Sequence, residues 1–238
     1  MSKWALITGA SGGIGQAIAK TLAQEGYNLY LHYNTNKPQL TKLFDEFKVE
    51  YKLINADLSS SEGVYSLIKE ITHDVDVIIH NAGQGYHGLM TDMSDLQIQQ
   101  MVQLHVTSPF MLTKYLIPPM INKKSGKIVV ITSVWGKVGA SCEVLYSMVK
   151  GGQNTFVKAL AKELAPSGIN INGIAPGSVE TAMLDVFSEN DKQLIRDEIP
   201  MGRLGKPEEI ADAVSFLISE KATYINGEIL SINGAWFT

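Results

Sequence analysis

The chain has 238 residues, 45% of them hydrophobic and 18% charged, the balance of an ordinary globular protein with enough length to bury a core. Its formal net charge of −4 gives no electrostatic footprint for nucleic acid, and one cysteine, Cys142, excludes an internal disulfide framework. The four apolar residues that precede the first glycine-rich turn are too few for a secretory leader, and no later run has the length of a membrane span. A cytoplasmic protein without membrane contact is therefore expected.

In chain order, WALIT (4–8) reads as a buried strand and a helical pattern follows over 14–26. NLYLHY (28–33) is a second strand, followed by a helix over 38–48, and YKLINA (51–56) a third, followed by a helix over 60–73. VDVIIHNA (75–82) leads to a long helical pattern, 94–123, which Pro109 should bend or break. GKIVVIT (126–132), a helix over 146–166 and INGIAP (171–176) come next. A helix over 207–219 starts at Pro207 with Glu208 and Glu209 behind it, and EILSING (228–234) closes the series. Apolar strands that each feed a helix define a parallel sheet covered on both faces: an α/β, doubly wound, Rossmann-type fold. No linker, repeat or low-complexity tract divides it, so residues 1–238 read as a single domain. The basic run NKKSGK (122–127) reads as a solvated loop or as a contact for an acidic partner.

The first strand runs into TGASGGIG, with Gly9, Gly13 and Gly15 in the pattern G-x-x-x-G-x-G. Placed between strand and helix, the loop Gly9, Ser11, Gly12, Gly13, Ile14 and Gly15 lets a pyrophosphate approach the helix N-terminus. The absence of Gly-Lys-Ser/Thr argues against a triphosphatase loop. In such folds an acid at the end of the second strand binds the ribose 2′-hydroxyl of NAD. Here Tyr33 lies 18 residues beyond Gly15 and no acid appears before Asp45, while Asn34, Thr35, Asn36 and Lys37 offer donors, which points to NADP (NADPH).

VLYSMVKGG sets Tyr146 four residues ahead of Lys150, a pair that alone is compatible with ordinary helix surface. With TGASGGIG, NAG (Asn81, Ala82, Gly83), Ser133 in ITSVWGKVG, APGSVETAM (175–183), GRLGKPEEIADAVSFL (202–217) and the final SINGA, however, the chain resembles the short-chain dehydrogenase/reductase family over nearly its whole length. Within it, the resemblance is nearest to the 3-oxoacyl-[acyl-carrier-protein] reductases, above all across 171–217. It implies reduction of a ketone, with Tyr146 as proton donor and Ser133 orienting the carbonyl. Lys150, with a positively charged nicotinamide, would lower the phenol pKa of about 10, and Lys150 would also hold the nicotinamide ribose. It also implies cofactor contacts from Asp57 and Leu58 beside the adenine, from Asn81, Ala82 and Gly83 along the cleft, and from Pro176, Gly177, Val179 and Thr181 around the carboxamide. A homotetramer or homodimer, paired through 94–123, 146–166 and the last strand, is the assembly it implies.

Departures bear on the substrate. The family's fourth catalytic residue is an asparagine in a context like N-V-T-S-P-F, and here HVTSPF puts His105 in its place. Three readings stand: a proton relay through a neutral imidazole, a histidine satisfied by backbone, or weakened activity. The carrier-protein branch keeps basic residues near the active-site entrance; Lys124 matches one, but Ser167 replaces another, and INGAWFT replaces the usual ending. The expected substrate is thus a small-molecule or carrier-bound ketone, with a ketone on a modified lysine of a translation factor as the alternative. A dinucleotide-binding regulator and a sugar or polyol dehydrogenase are the remaining readings. Trp135 and the segment 182–200 are expected to form pocket wall and lid, Cys142 to be an inert thiol near Tyr146, and the histidines 32, 73, 80, 87 and 105 to hold no metal.

Overall fold

A computed structural model describes residues 3–36 and 47–237. Its seven strands are β1 (Trp4–Ile7), β2 (Asn28–Tyr33), β3 (Tyr51–Asn55), β4 (Val77–His80), β5 (Gly126–Ile131), β6 (Ile169–Pro176) and β7 (Ile229–Ile232). All pairs are parallel, in the order β3-β2-β1-β4-β5-β6-β7, which is the expected doubly wound sheet. The strand order reverses between β1 and β4, the point at whose carboxyl ends sheets of this kind bind ligands.

The apolar runs lack alternation because both faces are covered. Ala5, Ile7, Val77, Ile79, Val129 and Ile131 face one layer, with Ile18 and Leu22 of α1 (Gly13–Gln24) and Val214 and Leu217 of α8 (Pro207–Ile218). Trp4, Leu6, Ile78, Ile128 and Val130 face the other. There they meet α2 (Ser61–Glu70), α4 (Ser108–Lys123) and α6 (Val144–Leu164) through Leu67, Leu112, Leu116, Val157 and Ala161.

The long pattern at 94–123 is not one regular helix. α3 (Asp95–Val102) passes into a π-helical turn, Gln103–Thr107, before α4 begins, with Pro109 in the first turn of α4. Two further helices, α5 (Trp135–Val138) and α7 (Glu189–Glu198), were not expected as helices. The helix expected over 38–48 lies largely outside the described residues, as does Lys37. Among the described residues no helix is long and apolar enough to cross a membrane.

Candidate active site

The phosphate end is built by backbone. Gly9 takes φ +66°, and a Cβ on Gly15 would stand 2.2 Å from the Gly9 carbonyl oxygen, so neither position admits a side chain without a shift. Gly12 precedes α1 without a side-chain cap, and no acid occupies the first turn, which leaves that helix end suited to an anion. Gln16 Nε2 donates to the Ser11 carbonyl at 2.7 Å and holds the far side of the loop. Asn81 faces the loop rather than the open cleft, as its Nδ2 donates to the carbonyls of Thr8 and Gly9, each at 3.0 Å. The Thr8 hydroxyl receives the N–H groups of Asn81 and Ala82. β1 and β4 are thereby joined at the reversal point of the sheet.

His32, absent from the expected site, is the other brace. Its Nδ1 accepts the Gly9 N–H at 3.0 Å, so the proton of the neutral ring sits on Nε2, 3.0 Å from the Ala56 carbonyl it donates to. Burial holds the ring below its ordinary pKa. A histidine within an apolar strand gives no sequence signal for this, because its partners come from the loops after two neighbouring strands.

Tyr33 ends β2, Asn34 follows it, and Asn55 Nδ2 donates to both of their carbonyls. The described residues 33–36 include no carboxylate. Asp57 Oδ1 accepts from Ser59 N–H at 2.9 Å and from its hydroxyl at 2.7 Å, shaping the turn into α2. Leu58 is buried in the core, and its carbonyl accepts from the Ser108 hydroxyl at 2.7 Å, so it reaches a ligand by backbone if at all. At the opposite side of the crevice Gly177 N–H donates to the Ile232 carbonyl, Val134 N–H to that of Pro176, and Val179 bridges Gly205. A Cβ on Gly13 would meet Thr181 Cγ2 at 2.8 Å, so the 176–181 segment lies directly on the glycine loop. The spacings and the uncapped helix end fit a nicotinamide dinucleotide laid from the Gly9–Gly15 loop toward Thr181.

Ser133, Tyr146 and Lys150 do meet. Ser133 follows β5, its hydroxyl accepts the Trp135 N–H at 3.2 Å, and it stands beside the Tyr146 phenol, whose pKa it acts to lower. Tyr146 and Lys150 share the buried face of α6, with Lys150 Nζ 5.5 Å from the phenol ring centroid and donating to the Ile131 carbonyl at 2.9 Å. The expected lowering of the phenol by Lys150 is not what the protein alone produces. Burial raises Tyr146, Glu143 adds to the rise, and only Ser133 opposes it. Burial likewise pushes Lys150 down to about 7.

His105 lies in the π turn, wholly buried and edge-on to Tyr146, with ring centroids 5.7 Å apart. Its Nε2 is 2.9 Å from the Gln84 carbonyl and 3.2 Å from the Gln84 N–H, within reach of either according to tautomer, while Nδ1 has no partner. Burial and then Lys150 push it down to about 3, so the ring is neutral. The Gln84 backbone thus holds one ring nitrogen of His105 and leaves the other unpaired.

Trp135 packs against the Tyr146, Leu145 and Val149 cluster and carries Trp236 and Phe237 on its ring, each 5.2 Å between centroids. In the 182–200 segment Met183 lies over Gly85 and Phe187 sits 5.6 Å from the His87 ring, so it covers the loop after β4. The Cys142 carbonyl accepts the Gly88 N–H at 2.9 Å. His80 is held by Thr113 at 2.8 Å inside the core, and the described residues contain no group of three or more metal-ligating side chains. Lys124 and Ser167 are neighbours, since a Cβ on Gly168 would come 2.4 Å from the Lys124 carbonyl oxygen. They stand at the amino ends of β5 and β6, however, the edge of the sheet away from Ser133, which corrects their expected place at the entrance of the chain's own site.

A parallel sheet with a glycine loop at its reversal point, facing a buried Ser–Tyr–Lys cluster, defines a dinucleotide-dependent oxidoreductase of the α/β class. Comparison with known proteins agrees. The family described as enoyl-(acyl carrier protein) reductase matches residues 9–235. An uncharacterized oxidoreductase of Bacillus subtilis, YmfI, is 55% identical over 99% of each chain. The 3-oxoacyl-[acyl-carrier-protein] reductase FabG of Aquifex aeolicus is 37% identical over 99% of this chain and 97% of its own. A solved structure titled short chain dehydrogenase/reductase family protein superposes with a TM-score of 0.88 at 26% identity, covering 98% of this chain and 96% of that one. The chain belongs to the short-chain dehydrogenase/reductase family, whose cofactor is a nicotinamide dinucleotide.

Proposed function

We propose that the chain is an NADPH-dependent reductase of a ketone, with a 3-oxoacyl thioester as its substrate. The observation that carries this is the buried cluster of Ser133, Tyr146 and Lys150, with the Lys150 Nζ 5.5 Å from the phenol ring centroid. A reduced nicotinamide, when bound, supplies the hydride for the carbonyl carbon and leaves a positively charged ring. Ser133 donates to the carbonyl oxygen and orients it, and Tyr146 hands its phenolic proton to that oxygen as negative charge develops there. Lys150 holds the ribose hydroxyls and, with the oxidised ring, supplies the positive charge that burial of the phenol demands. Gly9, Gly13, Gly15 and Thr181 would hold the dinucleotide. NADPH rather than NADH is supported by the absence of a carboxylate at 33–36.

The thioester is supported by the name of the Aquifex aeolicus relative. A second reading keeps the chemistry and changes the carrier, placing the ketone on a protein such as a translation factor bearing a modified lysine. Ser167 in a commonly basic position and the place of Lys124 on the far edge favour it. The test is NADPH and NADH oxidation with a short 3-oxoacyl thioester. Turnover that prefers NADPH supports the assignment. NADPH binding without turnover of any thioester rejects it in favour of a protein-borne ketone or a regulatory role, and preference for NADH rejects the cofactor.

A further inference from the structure

The His105 carbonyl has a partner from another helix. Pro109 stands four residues on, where an α-helix would supply the N–H for that carbonyl, and proline has none. The chain widens into the π turn, with Ser108 N–H reaching back to the Gln103 carbonyl. Gln153 Nε2 then donates to the His105 carbonyl at 2.7 Å. Gln153 lies on α6 one turn beyond Lys150, on the same buried face as Tyr146. The His105 ring presses on Gly83, where a Cβ would come 2.9 Å from Cε1, bonds the Gln84 backbone and meets Tyr146 edge-on. One imidazole thus ties the loop after β4 to the phenol, and its backbone is fixed by Gln153.

Gln153 Oε1 is buried with no partner, while its Nε2 serves the carbonyl that Pro109 leaves without a donor. We propose that Gln153 is a positioning residue for the reduction: by holding the His105 carbonyl it fixes the π turn and keeps Tyr146 in register with the Gly83–Gln84 backbone. This rests on Tyr146 being the proton donor. It also gives the position of His105 a purpose that needs no proton transfer through its ring.

The test compares wild type with Gln153→Leu, Gln153→Met and the double variant Gln153→Leu/Pro109→Ala, reading kcat, KM for NADPH and backbone hydrogen exchange across 83–86 and 103–110. Loss of the donor is expected to speed exchange in both segments and to lower kcat by about 10- to 100-fold, with KM nearly unchanged. Pro109→Ala restores an N–H four residues beyond His105, and is expected to recover part of kcat and of the protection. The methionine variant decides the matter if the leucine variant misfolds. Unchanged exchange, or faster exchange with kcat within about twofold of wild type, overturns the proposal. A wild type that turns over no ketone overturns the reductase assignment instead, and with it the role given to Gln153, while exchange still reports whether the tie exists.

Discussion

Lys150 places the demands of function against those of folding, and Lys150→Met measures the conflict. Burial brings the ammonium from 10.5 to about 7, which at about 1.4 kcal/mol per unit amounts to about 5 kcal/mol against the charged native form. At pH 7 half of the native molecules have already released the proton, which leaves about 4 kcal/mol of that penalty in force. Methionine removes it but deprives the Ile131 carbonyl of its donor, a loss of about 1–3 kcal/mol. The variant is therefore expected to be more stable than wild type at pH 7 by about 1–3 kcal/mol, or a few degrees in Tm. The sign of the pH dependence follows from linkage. Between about 7 and 10.5 the unfolded chain retains a proton that the native protein has lost, so wild-type stability rises with pH across that window. The advantage of the variant should shrink as pH rises, at up to about 1.4 kcal/mol per pH unit, and vanish between about pH 8 and pH 10. Urea unfolding followed by tryptophan fluorescence at three pH values reads this directly. A variant no more stable than wild type at pH 7, or an advantage that grows with pH, refutes the reasoning.

Gly15→Ala is expected to lose about 1–3 kcal/mol and most of its NADPH affinity, because the new Cβ meets the Gly9 carbonyl oxygen at 2.2 Å and Ala10 Cα at 2.9 Å. Gly12→Ala, whose nearest neighbour would be 3.6 Å away, serves as the control that should still fold, with thermal melts and NADPH fluorescence titrations as the readouts. Acid should unfold the protein through its buried imidazoles. His80 is held near 4 and His105 near 3, so the unfolded chain takes up protons first as pH falls below 6.5, and stability declines from there toward those values. His80→Asn should flatten that decline in a series of urea titrations from pH 7 to pH 4.5, and an equally steep decline would rule out His80 as a contributor.

The strands could be read from the sequence because each has two buried faces and so shows an unbroken apolar run, as in Val77–His80 and Gly126–Ile131. The glycine loop was legible because only glycine fits where backbone oxygen lies within 3 Å of a Cβ, as at Gly15. Helix α7 escaped notice because none of its residues is buried, so no apolar face marks it. The π turn showed itself only as Pro109, since its shape depends also on Gln153, whose partner lies 48 residues back. His32 escaped for the same reason. Its bond to Gly9 joins the end of one strand to the loop after another, and no local pattern encodes that. The charge expected on the Tyr146–Lys150 pair was drawn from the chemistry of the residues, whereas burial, which opposes both charged forms, comes only from the packed structure.

The central claim is that Tyr146 delivers the proton in a ketone reduction. The measurement that tests it most directly is NADPH oxidation with a short 3-oxoacyl thioester by wild type and Tyr146→Phe, alongside NADPH binding to both. The expected result is binding preserved in both proteins and turnover that falls by about 10²- to 10⁴-fold in the phenylalanine variant. Turnover that survives the loss of the phenol would contradict it.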